Sequence, residues 1–448
     1  MLTEVGVPKK MTIQKLINYP SKIDYTEYKK DSSSITKYGL PKDIKFCKSC
    51  VISNQRPNSQ VEHEHNKATL KTTINFNDDG ICDACVLAEK KKREIDWDKR
   101  EAELKALCEK YRSRNGSYDC LVPGSGGKDS FFASHILKNK YKMNPLTVTW
   151  APNMYTTWGW NNFQKWIHSG LDNYLMTPNG RTHRILTRLA VENLLHPFQS
   201  FIIGQKSFAP KMAIKFNIPL IFYGESESEY GNPISESMSS KRDWSFSSID
   251  ERDNIFLGGV SYSSLKNDYK LTDNDLSIYV QENINNIKDK EIDFRYLGYY
   301  LKWHPQSNYY YSVENGNFEA APERTQGTYS KYNSIDDKID DFHYLTTRTK
   351  FGIGRATYDA AQEIRSGDIT REEGVMLVNK FDHEFPDRFE DEIYKYLSIN
   401  QKEFPSSFDL FEEPTMTKEY FSLLSDNARS PHIWKYENNK WVLRSIIK

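Results

Sequence analysis

The sequence predicts an α/β fold built on a parallel sheet with helices on both faces. Between Tyr118 and Tyr223, short apolar runs alternate with stretches of helical period. The runs are continuously apolar rather than alternating, as strands buried on both faces are. One run passes through a glycine-rich turn directly into a helix, an arrangement in which backbone amides can hold an anion.

The elements follow in order. Asp96 caps a helix carrying Leu104, Leu107, Cys108 and Tyr111, with Asn115 and Gly116 as its stop signal. Tyr118–Pro123 reads as the first strand, followed by a helix through Phe132, Ile136 and Leu137. Leu146–Trp150 is a second strand and Asn173–Met176 a short third. A helix with Ile185, Leu189 and Leu194 comes next, then one from about Lys206 to Phe216 that runs into the strand Pro219–Tyr223. From Ser235 to about Ile292 the chain is dense in Asp, Asn and Ser and reads as an insertion, helical in parts between Leu271 and Ile287. Arg295–Trp303 reads as an aromatic, strand-like run. Thr357–Phe381 reads as two helices, the second opened by a capping box of Thr370 and Glu373. The expected organisation is an N-terminal extension over 1–45, a cysteine segment over 46–95 and a loop-bearing core over 96–240. An insertion over 241–292, completion of the core with a helical region over 293–396, and a peripheral tail over 397–448 follow.

The charge balance limits function. Lys+Arg and Asp+Glu both number 61, so the formal net charge is zero. A protein whose main work is gripping nucleic acid needs an excess of cations to neutralise phosphates. No stretch approaches the roughly 20 apolar residues that span a bilayer. Met1–Lys30 is polar and lacks a signal-peptide core, so a cytoplasmic protein without a membrane partner is expected. Of six cysteines, four form two CxxC pairs, Cys47 with Cys50 and Cys82 with Cys85. In a reducing compartment this favours metal over disulfides. Four thiolates are a full tetrahedral set for Zn²⁺ and leave no open position, so the metal is expected to be structural. His63 and His65 between the pairs read as solvated, while Cys108 and Cys120 read as core residues.

The run Ser125, Gly126, Gly127, Lys128, Asp129, Ser130 lies between the first strand and its helix. Adjacent glycines let the backbone approach an anion, and Ser125 and Ser130 can offer hydroxyls. Asp129 would repel phosphate unless it meets Mg²⁺ or a substrate proton, which points to a metal-bridged pyrophosphate. The spacing fits neither a Walker loop nor a dinucleotide fingerprint. It resembles the PP-loop of ATP-pyrophosphatases such as asparagine, GMP and NAD synthetases and tRNA-lysidine synthetase. That resemblance implies ATP lying across the carboxyl ends of the strands. Thr149, at the end of the second strand, is then the candidate adenosine contact. Glu225, just after the strand ending at Tyr223, is the candidate for Mg²⁺ or a substrate amine.

A narrower resemblance follows. The double CxxC, the helix start at Ile95, Asp96 and Trp97, and the loop are joined by Lys215–Pro219 before Gly224 and Glu225. Later come Arg324–Thr328 and Lys350–Arg355. This arrangement, from about Cys47 to Phe385, is similar to the N-acetyl sugar amidotransferase family. The resemblance implies an enzyme that turns an N-acetyl group of a bacterial surface sugar into an acetamidino group, for lipopolysaccharide O-antigen or nonulosonic acids. ATP, Mg²⁺ and structural Zn²⁺ would serve it. Asp129 and Glu225 would be catalytic, and Arg324, Arg348, Lys350 and Arg355 would meet the sugar's carboxylate or the phosphates. With no nucleophilic cysteine of its own, the chain would take free ammonia or receive it from a partner, and the resemblance implies a separate glutaminase subunit and a barrel-like ammonia-delivering partner. The rival is a tRNA-modifying PP-loop ligase or thiolase. Zero net charge and the absence of a cysteine at a strand's carboxyl end weigh against it.

Overall fold

A computed structural model describes residues 22–232, 239–249, 254–399 and 415–448. The expected extension over 1–45, insertion over 241–292 and tail over 397–448 therefore lie partly outside the described residues.

Five parallel strands form the central sheet: β1 (Cys120–Pro123), β2 (Pro145–Trp150), β3 (Asp172–Met176), β4 (Leu220–Tyr223) and β5 (Asp293–Tyr296). Their spatial order is β3-β2-β1-β4-β5. Counting helices of eight residues or more, α1 (Asp83–Arg93) and α2 (Trp97–Tyr111) precede the sheet. Within it come α3 (Lys128–Asn139), α4 (Thr157–His168), α5 (Gly180–Leu194) and α6 (Gln199–Phe216). After it come α7 (Pro305–Gly316), α8 (Asp340–Phe351), α9 (Arg355–Ser366), α10 (Arg371–Phe381), α11 (Glu390–Leu397) and α12 (Lys418–Ala428). A hairpin, β6 (Trp434–Glu437) and β7 (Lys440–Leu443), closes the chain.

The strand side chains divide by face, as a period of two requires. Cys120, Val122, Leu220 and Phe222 pack with Leu104, Cys108, Ala133 and Leu137 of α2 and α3. Leu121, Leu146, Val148 and Ile221 pack with Ala209, Met212 and Ala213 of α6. Both faces are dry at β1, β2 and β4, which is why those strands read as continuous apolar runs, whereas the edge strand β3 is largely exposed. The chain reverses its direction of growth at β1: β2 and β3 lie on one side of it, β4 and β5 on the other. In open α/β sheets the crevice at the carboxyl ends beside such a reversal receives the ligand.

Several expectations are corrected. The Asp96 carboxylate caps α2 by accepting from Lys99 N at 3.0 Å, but the helix ends at Tyr111, before Asn115 and Gly116. Ser113 and Asn115 side chains bond to nearby backbone amides, and that local competition ends the helix early. The run Arg295–Trp303 is a strand only to Tyr296, then a helical turn over Leu297–Tyr300. The turn brings Gly298 N to Gly224 O at 2.9 Å and seats Trp303 against Gly224. Between Leu271 and Ile287 the helical stretch is broken into Asp273–Leu276 and Ile284–Asp289, with a short strand between. The insertion also carries core: Ile255, Leu257, Leu265, Leu276 and Tyr279 pack under α5 with Trp150. The tail is not peripheral over its described part. Trp434 is 1% exposed and donates its indole N–H to Thr349 O at 2.8 Å. Tyr28 and Leu40 of the N-terminal extension pack against it. Among the described residues no helix is long and apolar enough to cross a membrane.

Candidate functional site

The glycine-rich run lies at the carboxyl end of β1 and opens α3, and β4 delivers Gly224 and Glu225 beside it. Together they line a cavity of about 270 Å³, shared with Asn162, Gln205, Tyr332 and Asp336. The loop's shape is fixed by contact. Gly126 has φ +86°, and a Cβ there would lie 2.6 Å from Phe163 Cα of α4. A Cβ on Gly124 would lie 2.3 Å from Ser130 Cβ. The Ser130 hydroxyl accepts from Gly126 N at 3.2 Å and donates to Gly127 O at 3.0 Å, bracing the turn.

The charges around the loop are organised by neighbours. Lys128 is buried and ion-paired with Asp129. Asn308 of α7 donates to Asp129 Oδ1 at 3.0 Å, and Ser312 of α7 donates to Lys128 O at 3.0 Å. Gly316 lets α7 lie flat on Phe131, whose ring a Cβ would meet at 2.1 Å. Glu225 accepts from the Tyr230 hydroxyl. Burial, then the negative charge of Asp129, pushes the Glu225 carboxyl up to about 7. Two residues on, Glu227 behaves oppositely. Burial opposes its charge, but Arg242 at 2.8 Å and the Tyr296 hydroxyl hold it down to about 2.

Opposite the loop, the segment Ser334–Asp337 forms the far wall. Burial raises the Asp336 carboxyl, while the Ser125 hydroxyl favours its ionised form. Asp337 accepts from the backbone of Asn153 at 2.5 Å and of Met154 at 3.2 Å, tying this wall to the end of β2. Neither this wall nor α7 is anticipated from the sequence. Pro305 in the first turn of α7 and the left-handed Asn317 at its end are the signals that mark it. The doubled acids Asp336-Asp337 and Asp340-Asp341 mark the wall and the start of α8.

The other predicted site residues lie elsewhere. Thr149 is fully buried within β2, its hydroxyl accepting from Asn173 Nδ2 of β3 at 3.0 Å, and it does not line the loop cavity. Arg324, Arg348, Lys350 and Arg355 are not brought together, and none of them lines that cavity. Arg324 grips Glu384 with two bonds of 2.7 Å. Arg348 lies over the Trp434 ring. Arg355, 2% exposed, pairs with Asp340 at 2.9 Å. Lys350 is buried and donates to Leu194 O at 3.0 Å.

The four paired cysteines form a second site. Cys47, Cys50, Cys82 and Cys85 are buried, with sulfurs all within 4.8 Å of one another. Cys47 Sγ stands 3.9 Å from Cys85 Sγ, and Cys50 Sγ stands 3.8 Å from Cys82 Sγ. A tetrahedron with Zn–S bonds of about 2.3 Å has edges of about 3.8 Å, so the spacing suits zinc. Backbone N–H groups of Ser49 and Cys82 point at Cys47 Sγ, and the Arg365 guanidinium lies near the sulfurs. Both steady a negatively charged thiolate group. His63 and His65 take no part and are not solvated; they are 3% and 5% exposed. Cys108 and Cys120 are core residues, and burial pushes the Cys108 thiol up to about 12, which leaves it unreactive.

Comparison with known proteins adds two findings. Over 78 residues the chain is 35% identical to the uncharacterized protein MJ1599 of Methanocaldococcus jannaschii. The match covers 17% of this chain and 27% of that relative, so the chain spans about a quarter of the relative's length. Residues 326–448 match the family described as "LPS biosynthesis protein WbpG-like, C-terminal domain". That match includes α8 to α12 and the closing hairpin, the helical part that supplies Asp336 and the wall opposite the loop.

Proposed function

We propose that this chain is a PP-loop ATP-pyrophosphatase that makes an acetamidino group on a bacterial surface sugar from an N-acetyl group and ammonia. The observation that carries the reading is the position of Ser125–Ser130 at the sheet's reversal point, with Asp129, Glu225 and Asp336 around one cavity. The WbpG-like match over residues 326–448 supports a role in surface-polysaccharide biosynthesis.

An amide carbonyl is a poor electrophile because its nitrogen already donates into it. In the proposed reaction the amide oxygen attacks the α-phosphorus of ATP and the bond to pyrophosphate breaks. Ammonia then adds to the imidate carbon, a proton leaves the new nitrogen, and the carbon–oxygen bond to AMP breaks. The amides at the start of α3 and Lys128 would hold the pyrophosphate that departs. The donors facing the cavity from Asp129, Asp336 and Ser125 are all oxygen, which suits Mg²⁺, and the ion would neutralise phosphate charge there. Glu225, with its carboxyl near neutrality, would take the proton from the ammonia nitrogen. Cys108 and Cys120 are sealed in the core, so ammonia would come free or, as the family resemblance implies, from a separate glutaminase through a barrel-like partner subunit.

The test is a product assay with purified protein, Mg-ATP, an ammonium salt and an N-acetylated uronic-acid or nonulosonic-acid sugar. AMP and pyrophosphate should appear, with the sugar lighter by about one mass unit as oxygen gives way to NH. An unchanged sugar, with AMP released only on adding tRNA, would replace this reading by tRNA modification.

A further inference from the structure

A second cavity, of about 210 Å³, lies between the loop following His65, the end of α5 and the last turn of α8. It shares no lining residue with the loop cavity. Three lysines line it: Lys67, Lys71 and Lys350. Lys350 is 5% exposed, and Lys67 is exposed at the rim. Their negative partners are few. Glu192 also lines the cavity; its Oε1 is paired with Arg188 at 2.5 Å, both side chains at 1% exposure or less, and its charge also acts with Lys67. Glu62, whose charge acts on both Lys71 and Lys350, is shared between His65 at 3.5 Å and His196 at 3.6 Å. Lys71 donates to Gln60 Oε1 at 2.5 Å, and Lys350 to the Leu194 carbonyl at 3.0 Å. Both ammonium groups thus rest on neutral oxygens. Burial, and for Lys350 the nearby Lys71, lowers them to about 8 at Lys71 and about 7 at Lys350. Lys71 and Lys350 repel each other, Glu62 offsets that only in part, and an entering anion relieves the rest. Asn66, Asn193 and Thr69 add neutral polar groups to the same lining.

We propose that this cavity is a binding site for a small phosphate-bearing ligand, with Lys350 as its buried contact, Lys71 as a half-buried one and Lys67 as its rim contact. Phosphate is favoured over carboxylate because, among the described residues, no arginine lines the cavity. Planar bidentate recognition of carboxylates uses arginine, whereas lysines bind phosphate as point charges. At about 210 Å³ the cavity is smaller than the loop cavity of about 270 Å³, and the occupant is a phosphate monoester or a headgroup. Lys350, which the sequence marks for phosphate or carboxylate, finds its role here and not at the loop. The assignment is independent of the nucleotide reading.

The test is equilibrium dialysis of the full chain with radiolabelled orthophosphate at constant ionic strength, using wild type, K350M, K71M, K67M and the loop variant K128M. Saturable binding should weaken about tenfold or more in K350M and in K71M, the loss of one charge-assisted bond each. It should weaken about threefold in K67M, whose exposed side chain cannot affect folding, and persist in K128M. Thermal denaturation of each variant separates lost binding from lost fold. Binding that vanishes in K128M but survives K350M and K71M would overturn the assignment by placing the ion at the loop. No saturable binding by wild type would overturn it outright. Acetate competing as well as phosphate would overturn the phosphate preference.

Discussion

Two glutamates separated by one residue, on the same turn after β4, are given opposite chemistry by their neighbours. Glu227 has a guanidinium within 2.8 Å and stays ionised well into acid. Glu225 has the Tyr230 hydroxyl, its own backbone amide and Lys128 to favour its charge, against burial and Asp129, and sits at about 7. The sign follows directly. A carboxyl raised to about 7 is protonated below that pH and ionised above it, so a step that needs the base speeds up as pH rises through 7. At a constant concentration of free ammonia we therefore expect AMP release by the wild-type enzyme to rise between about pH 6 and 8 and then level off. Glu225→Gln should flatten that limb and lower turnover about 10²–10⁴-fold, the usual worth of a positioned general base. A pH–rate profile that the substitution leaves unchanged would remove Glu225 from proton transfer.

Helices legible in this sequence are those whose ends carry their own chemistry. α10 is the plainest case. Thr370 Oγ1 accepts from Glu373 N at 3.2 Å, and Glu373 Oε2 accepts from Thr370 N at 2.7 Å, the reciprocal box that the residue types announce. The box also fixes where α10 starts, so that Gly374 can pass Ile364 of α9, whose Cδ1 a Cβ would meet at 2.5 Å. Thr370→Ala should cost about 1 kcal/mol, read as a drop of a few degrees in the thermal midpoint. An unchanged midpoint would mean that packing against α9, not the cap, sets the stability of this pair. α7 escaped the reading because its sequence, Pro305–Gly316, is crowded with Tyr, Ser and Asn and shows no clear apolar stripe. Its buried face is made of Asn308, Ser312 and Gly316, small and polar residues chosen to meet the loop helix rather than an oily core. The end of α2 was misplaced for a related reason: Asn115 and Gly116 mark a turn, but Ser113 and Asn115 end the helix before it.

At the scale of the whole chain, the loop and the cysteine ligands were legible because each is a local run whose chemistry needs those residues at that spacing. The wall opposite the loop was not, because Asp336 reaches Ser125 only through a long-range fold. Nor could the fates of Arg324 and Arg355 be foreseen, since their partners Glu384 and Asp340 are set by helix packing. The same long-range packing gives the cysteine site its reach. Cys47, Cys50, Cys82 and Cys85 share one apolar cluster with Ile353, Ala360 and Ala361, with Val378 of α10, and with Ile447 from the end of the chain. Arg365 of α9 faces the sulfurs and donates to Glu229 O, four residues after Glu225 on the chain. Zinc would thus hold together the cysteine knuckles, the two helices behind the wall and the turn after β4. One zinc per chain is expected by native mass spectrometry of the purified protein. Its removal by a strong chelator should lower the thermal midpoint by on the order of ten degrees, because several kcal/mol of binding energy is spent on folding. Cys82→Ser should reproduce that loss without chelator. The decisive observation is nucleotide binding at a temperature where the zinc-free chain is still folded. Weakened binding there would show that the metal positions Glu225 and the loop cavity through Arg365 and α9. Undiminished binding would confine zinc to the cluster around the knuckles and leave the sheet to hold the site alone.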